Sequence, residues 1–132
     1  MATTMKSKIL IIDDERSIRL LLENFLSKRY EVVSKSNGSE AMRWLEDQVP
    51  DLIICDIQMP FMDGYEFLKQ VRQRSFTQHT PVIMLSGVDT SKDRVRCYRL
   101  GSQDFLVKPF NPEELEELIK KNLNPIHYAV KW

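Results

Sequence analysis

The sequence predicts a single α/β domain, an open parallel sheet covered by helices on both faces. Three observations predict it. Short β-branched apolar runs alternate with segments whose apolar residues recur at helical spacing, and the alternation repeats five times. The strand-like runs are apolar throughout, as strands covered on both sides are, so βαβ units and a parallel sheet follow. At 132 residues, 42% apolar and 29% charged, the chain has material for one ordinary core.

Lys8 to Ile12 reads as the first strand, and Ile18, Leu21, Leu22, Phe25 and Leu26 form the apolar stripe of the first helix. Glu31 to Ser34 is the second strand. Ser39 to Gln48 is the second helix, with Ala41, Met42, Leu45 and Trp44 inward and with Gly38 and Pro50 marking its ends. The clearest strand is Asp51 to Ile57, followed by a loop from Gln58 to Asp63 and a helix from Gly64 to about Arg74 that turns Phe67, Leu68 and Val71 to one side. After a polar loop holding His79, Pro81 opens the fourth strand, Val82 to Ser86. Thr90 to Leu100 is a helix closed by Gly101, where a left-handed C-cap is wanted. Asp104 to Val107 is the last strand, and Pro112, at a first-turn position, opens a helix to Leu123. Residues 1–7 read as an N-terminal extension, 8–123 as the domain and 124–132 as a tail or linker stub.

Composition removes several classes of function. The 19 Lys and Arg cancel the 19 Asp and Glu, so no global field exists to hold nucleic acid or an anionic membrane, and no helix-turn-helix pattern appears. Cys55 and Cys97 lack any CxxC or Cys/His context, which argues against zinc or a disulfide scaffold and for a reducing cytoplasm. The longest aliphatic run, Ile9 to Ile12, is too short for a membrane span or signal-peptide core. With only four Gly, the chain has no glycine-rich phosphate loop for a nucleotide or flavin carrier.

In an open parallel sheet, ligands bind beyond the carboxyl ends of the strands. Strand one ends in Asp13 and Asp14, strand three in Asp56, strand four in Ser86 and strand five in Lys108-Pro109. Three crowded carboxylates repel one another unless a cation sits among them. A purely oxygen donor set selects Mg²⁺, with Mn²⁺ as the alternative. Mg²⁺ keeps waters and accepts phosphate oxygens, so the constellation suits phosphoryl transfer, with Asp56 as the nucleophile forming an acyl phosphate and Ser86 and Lys108 as donors to its oxygens. Taken singly, each residue has a plainer reading: Asp13 or Asp14 as a helix N-cap, Asp63-Gly64 as turn chemistry, Phe105 as a core aromatic and Lys108 as a solvated lysine.

These motifs together resemble the receiver domain of two-component response regulators, chemotaxis regulators included. They are Asp13-Asp14-Glu15, Asp56-Ile57-Gln58-Met59-Pro60 with Met62-Asp63-Gly64, Ser86-Gly87, and Lys108-Pro109-Phe110, and the likeness runs from Lys8 to Leu123. The resemblance implies a flavodoxin-like fold with strand order 2-1-3-4-5 and five helices. It implies a phosphorylation-activated switch, with Asp56 phosphorylated from a histidine kinase or histidine phosphotransfer protein. Asp13, Asp14, Asp56 and the backbone carbonyl of Gln58 would surround Mg²⁺, Asp13 mostly through a water. Ser86, Gly87 and Lys108 would hold the phosphoryl group, Phe105 would change rotamer with Ser86, and the face of helix four, strand five and helix five would change with them. The Lys108-Pro109 bond is expected to be cis. Arg16, Ser17 and Ile18 would dock the phosphodonor, with Ile18 as a core residue instead in the plainer reading.

Two positions depart from the usual family pattern. Phe105 stands where many members carry Tyr, leaving packing alone to distinguish its rotamers. Gln58 and Val88 flank the path of hydrolytic water, and Val88 offers no polar group there. Such a domain catalyses only its own phosphorylation and dephosphorylation and turns over no external substrate. An aspartyl-phosphate hydrolase would want a second Asp two residues after Asp56, where this chain has Gln58. Lys92, Arg94, Arg96 and Arg99 against Glu113, Glu114, Glu116 and Glu117 suggest either solvated faces or a phosphorylation-dependent homodimer. A stand-alone receiver is expected, with the receiver of a longer regulator as the alternative.

Overall fold

The computed structural model describes residues 5–124. Its elements in chain order are β1 (Lys8–Ile12), α1 (Arg16–Leu26), β2 (Glu31–Lys35), α2 (Gly38–Trp44), β3 (Leu52–Asp56), α3 (Gly64–Gln73), β4 (Val82–Ser86), α4 (Ser91–Arg99), β5 (Asp104–Val107) and α5 (Pro112–Leu123). The strands form one parallel sheet in the order β2-β1-β3-β4-β5, the expected flavodoxin-like arrangement.

Strand alternation divides the apolar residues between two layers. Leu10, Ile12, Ile53 and Cys55 pack with Ala41, Met42, Phe67, Leu68, Val71 and Cys97, placing α2, α3 and α4 on one face. Ile9, Ile11 and Ile54 pack with Leu22, Leu26, Leu115 and Ile119, placing α1 and α5 on the other. Cys55 and Cys97 are free, buried thiols whose pKa burial pushes up, in keeping with packing residues.

Helix starts follow short-range chemistry. Asn37, Asp63, Thr90 and Asn111 each accept a backbone N–H of the first turn, from Glu40, Glu66, Asp93 and Glu113, and these acidic residues also suit the helix dipole. Gly101 has φ +102°. The N–H of Ser102 reaches the Cys97 carbonyl and that of Gly101 the Tyr98 carbonyl, a Schellman closure of α4.

Three local expectations are corrected. The second helix begins at Gly38, which is inside it because Asn37 supplies the cap, and it ends at Trp44 rather than Gln48. The third strand is one residue shorter at each end than Asp51 to Ile57, although the Ile57 N–H still bonds the Leu85 carbonyl. Leu21 is 45% exposed, because the buried line of α1 runs through Ile18, Leu22, Phe25 and Leu26, and Leu21 lies about 100° round the helix from Leu22. In the N-terminal extension, Lys6 donates to the Ser27 carbonyl and the Ser7 carbonyl accepts from Glu31, so these two residues are tied to the domain. Residues 125–132, most of the expected tail, lie outside the described residues.

Sequence patterning gave no sign of the role of Arg72. Its guanidinium donates twice to the Gly101 carbonyl, at 3.0 and 2.7 Å, once to the Thr77 carbonyl at 3.1 Å and once to Gln103 Oε1 at 2.9 Å. It thereby ties α3 to the loops entering β4 and β5. Arg72→Ala strands these acceptors and is expected to cost about 2–4 kcal/mol, read as a lower urea midpoint at unchanged slope.

Candidate functional site

Register builds the site. Ile12 pairs with Cys55, so Asp13 leaves β1 beside Asp56; Asp56 itself pairs with Leu85, and Ser86 with Val107, so Lys108 emerges across the same edge. Asp13, Asp14 and Asp56 each bring a carboxylate oxygen within 4.8 Å of the others. Asp13 is fully buried, Asp56 4% exposed and Asp14 open to solvent.

Lys108 Nζ lies 2.7 Å from Asp13 Oδ2, 3.4 Å from Asp56 Oδ1 and 3.4 Å from Glu15 Oε1. Asp13 Oδ1 accepts the Glu15 N–H at 2.9 Å within the loop, but the N-cap position of α1 is Glu15, so neither Asp13 nor Asp14 caps the helix as their plainer reading had it. The other Asp13 oxygen, Oδ2, is buried and is met only by the Lys108 ammonium, with no further donor to it. The expected cis Lys108-Pro109 peptide is present.

The electrostatics follow from this crowding. Burial, then the charge of Asp13, raises the Asp56 pKa from its ordinary 3.8 to about 7 against the opposing pull of Lys108. Burial also raises Asp13, opposed by Lys108 and the Glu15 N–H. For Lys108, burial works against the ammonium, but the contact with Asp13 and the charges of Asp13, Asp56 and Glu15 outweigh it, and the pKa is raised overall.

Ser86 is 3% exposed, and its hydroxyl is engaged in its own turn: it donates to the Val88 carbonyl at 2.9 Å and accepts the Val88 N–H at 3.1 Å. Gly87 and Val88 are exposed, and a Cβ at Gly87 would meet nothing within 4 Å. Phe105 is turned inward, 6% exposed, with the Arg94 guanidinium 4.8 Å from its ring centre. Gln58 is exposed and lines, with Met59, Tyr65, Ser86, Val88 and Asp93, a cleft of about 470 Å³ beside the acid pocket. Arg16 and Ser17 are exposed at the start of α1, whereas Ile18 is half-buried against the second core layer, as its plainer reading had it.

Three contributors were not found from sequence. Gly64 is required by contact: a Cβ there would lie 2.4 Å from the Asp56 carbonyl oxygen, so no other residue fits behind the central aspartate. Met62-Asp63-Gly64 stands in the motif behind the family resemblance and Asp63-Gly64 alone reads as turn chemistry, but neither gives this contact; Asp63 does cap α3. Phe61 is 91% exposed with φ +71°, and the Met62 N–H bonds the Pro60 carbonyl across it, a γ-turn that a bulky residue adopts at a cost in backbone strain. Arg19 donates to the Asp13 carbonyl at 2.7 Å and fixes the first loop. Helical spacing places Arg19 near the pocket, but the sequence gave no reason to single it out.

An open parallel sheet with a buried carboxylate cluster, an ammonium and a hydroxyl at its carboxyl edge defines a flavodoxin-like domain whose acidic strand ends could hold a metal ion. The chain belongs to the response regulator receiver domain family, whose model matches residues 9–120. It is 44% identical over 125 residues to the Guillardia theta protein named "Probable transcriptional regulator ycf27", covering 94% of this chain and 48% of that protein. Chemotaxis response regulator CheY4 of Vibrio cholerae superposes with a TM-score of 0.85 at 37% identity, covering 91% of this chain and 100% of that one. The receiver domain of the Pseudomonas aeruginosa sensor histidine kinase PA1611, whose structure has a magnesium ion coordinated in its active-site cleft, superposes with a TM-score of 0.83 at 28% identity, covering 90% and 98%. The chain spans about half the length of the curated relatives it matches. No helix among the described residues is long and apolar enough to cross a membrane.

The donor set fits a divalent cation: every candidate ligand is oxygen, the three carboxylates lie within 4.8 Å of one another, and the buried Asp13 Oδ2 has no partner but the Lys108 ammonium. The sign of the pH effect follows from the raised Asp56 pKa. Folding favours its protonated form, so this group's stabilisation is complete below pH 3.8 and is lost as pH rises through about 7. Without divalent ions, Asp56→Asn should therefore stabilise the protein at pH 8 by about 1–3 kcal/mol and by less at pH 5.5. Mg²⁺ should raise the melting temperature of the unaltered protein more at pH 8 than at pH 5.5. Calorimetry in EDTA and in millimolar Mg²⁺ checks both.

Proposed function

We propose that this chain is a phosphorylation-controlled signalling switch, with Asp56 as phosphoacceptor. The observation that carries the reading is the juxtaposition of the buried Asp56 carboxylate with Asp13, Asp14 and Lys108. Asp13, Asp14 and Asp56 would hold Mg²⁺, or Mn²⁺ in its place, with the Gln58 carbonyl as a further oxygen donor. The cation would neutralise charge on the transferring phosphoryl oxygens and favour ionised Asp56.

The rest of the chemistry falls to the chain. A carboxylate oxygen of Asp56 attacks phosphorus; the bond from phosphorus to the donor histidine nitrogen breaks as the new oxygen–phosphorus bond forms. Lys108, already 3.4 Å from Asp56, turns from Asp13 toward the added anion, and Ser86 exchanges its Val88 partners for a phosphoryl oxygen. Gly87 leaves that turn unobstructed. Hydrolysis returns the carboxylate by attack of water on phosphorus, past Gln58 and Val88. No external substrate is turned over, so the domain is a switch and not an enzyme in the ordinary sense.

The donor would be a histidine kinase or a histidine phosphotransfer protein, docking at Arg16, Ser17 and the exposed edge of Ile18. The output would leave through α4, β5 and α5 to a protein partner or a second copy. Of the basic residues on α4, Arg94 and Arg96 are engaged within the chain, over Phe105 and Tyr65, which leaves Lys92 and Arg99 for an acidic α5. This neutral domain is not read as a nucleic-acid or membrane binder, and cytoplasmic residence accords with its two free thiols.

Asp56→Asn is expected to abolish phosphoryl uptake from a radiolabelled phosphohistidine donor or acetyl phosphate, and Lys108→Ala to slow it about 10²-fold or more. Beryllofluoride with Mg²⁺ should bind the unaltered protein and not the Asp56→Asn variant, read by tryptophan fluorescence or fluorine NMR. Unchanged phosphoryl uptake by Asp56→Asn would overturn the reading.

A further inference from the structure

The first turn of α4 is held mainly by polar bonds. Its only buried residue is Cys97, whereas α3 buries Gly64, Tyr65, Phe67, Leu68 and Val71. Tyr65, 9% exposed, donates its hydroxyl to Asp93 Oδ1 at 2.7 Å, and the Arg96 guanidinium stacks 3.8 Å from the centre of the same ring. Thr90, the N-cap of α4, donates its hydroxyl to the other Asp93 oxygen at 2.5 Å and accepts the Asp93 N–H. Two residues before Thr90 is Val88, whose backbone occupies both the donor and acceptor capacity of Ser86.

Two groups of polar bonds, Ser86 with Val88 and Thr90 with Asp93 and Tyr65, are thus joined by the backbone through Asp89. If Ser86 is to meet an oxyanion on Asp56, it must release Val88. The segment freed leads through Asp89 into Thr90 and Asp93, and Asp93 is fastened to α3 by Tyr65. The fastening is compatible with the arrangement seen here and opposes displacement of the turn. Tyr65 makes no hydrogen bond to Asp13, Asp14, Asp56 or Lys108, although its ring lines the cleft with Gln58 and Ser86; its hydroxyl bond reaches Asp93 on α4.

We infer that the Tyr65–Asp93 hydrogen bond, with Arg96 stacked on the ring, is an autoinhibitory clasp that biases the domain toward its unphosphorylated arrangement. Tyr65 is thus a positioning residue that sets how readily a phosphoryl group is accommodated. The inference rests on the phosphoryl-switch reading. A ligand that favours the displaced arrangement binds more tightly when the competing arrangement loses a bond specific to it.

The test uses the full chain and beryllofluoride with Mg²⁺ as probe. Tyr65→Phe keeps the ring and the Arg96 stack and deletes only the hydroxyl. The clasp predicts that this variant melts at a lower temperature yet binds beryllofluoride about three- to tenfold more tightly. Asp93→Ala, which removes that bond together with the Thr90 bond to Asp93 Oδ2, should gain at least as much, and adding Tyr65→Phe to it should gain nothing further. A merely structural hydroxyl would lower the melting temperature without tightening binding. Equal or weaker binding by Tyr65→Phe, or gains that add in the double variant, would overturn the clasp. Failure of the unaltered protein to bind the probe would instead overturn the phosphoryl-switch reading, and the clasp with it.

Discussion

The structure is organised around an unfavourable concentration of charge. Three carboxylates against one nearby ammonium leave a formal charge of −2 when all are ionised, in a pocket where Asp13 is fully buried and Asp56 nearly so. A sheet whose strands all run one way sends every carboxyl end to the same edge, so Asp13, Asp56, Ser86 and Lys108 meet without any long loop to carry them. The cost is visible in the raised pKa of Asp56 and in that of Asp13, which burial raises in spite of the ammonium beside it. Such a concentration of oxygen donors could hold a metal ion, which would offset part of the repulsion. The chemical disposition of the domain follows from this repulsion more than from any single residue.

The surrounding fold keeps the repulsion from relaxing. Strands buried on both faces cannot slide, because a one-residue slip would exchange Leu10 and Ile12 with Ile9 and Ile11 between two different core layers. Behind Asp56, Gly64 lets α3 approach its carbonyl, and the Gly64 N–H bonds the Ile57 carbonyl at 2.7 Å, closing the loop onto the strand. On the other side, Arg19 holds the Asp13 carbonyl and the Glu15 N–H holds the Asp13 side chain. The carboxylates have no inexpensive way to separate.

How much of this was legible in the sequence depended on whether the signal was local. Strand and helix identities came from periodicity, and the end residues of β1, β3, β4 and β5 came from where the apolar runs stop, so Asp13, Asp56, Ser86 and Lys108 were found in advance. The α4 stop was equally plain, because Gly101 is the residue that a positive φ requires. What could not be read was tertiary. Leu21 belongs to the same spacing pattern as Leu22, and only the direction of α5 decides that one is buried and the other exposed. Arg72 and Tyr65 carry no sequence signature, since a lysine-like surface residue and a core aromatic give the same pattern. The state of Ser86 is likewise a matter of which partner it has, and its own turn offers two.

The two layers differ in how they hold their helices. On one face α1 and α5 bury apolar residues against the sheet and are further joined by the Arg29–Glu116 pair. On the other, α3 is anchored by five buried residues while α4 offers Cys97 alone. Apolar burial is non-directional and hard to release in steps, whereas a hydrogen bond or ion pair can be exchanged for another at small net cost. A helix held by Tyr65–Asp93, Arg94–Asp89 and Arg94 over Phe105 is therefore the element whose position a few polar exchanges can reset. It begins five residues after Ser86, the pocket hydroxyl with the most to gain from a new partner. Packing is thus dense on the α1 and α5 side of the sheet and thin at α4, where polar bonds substitute for it.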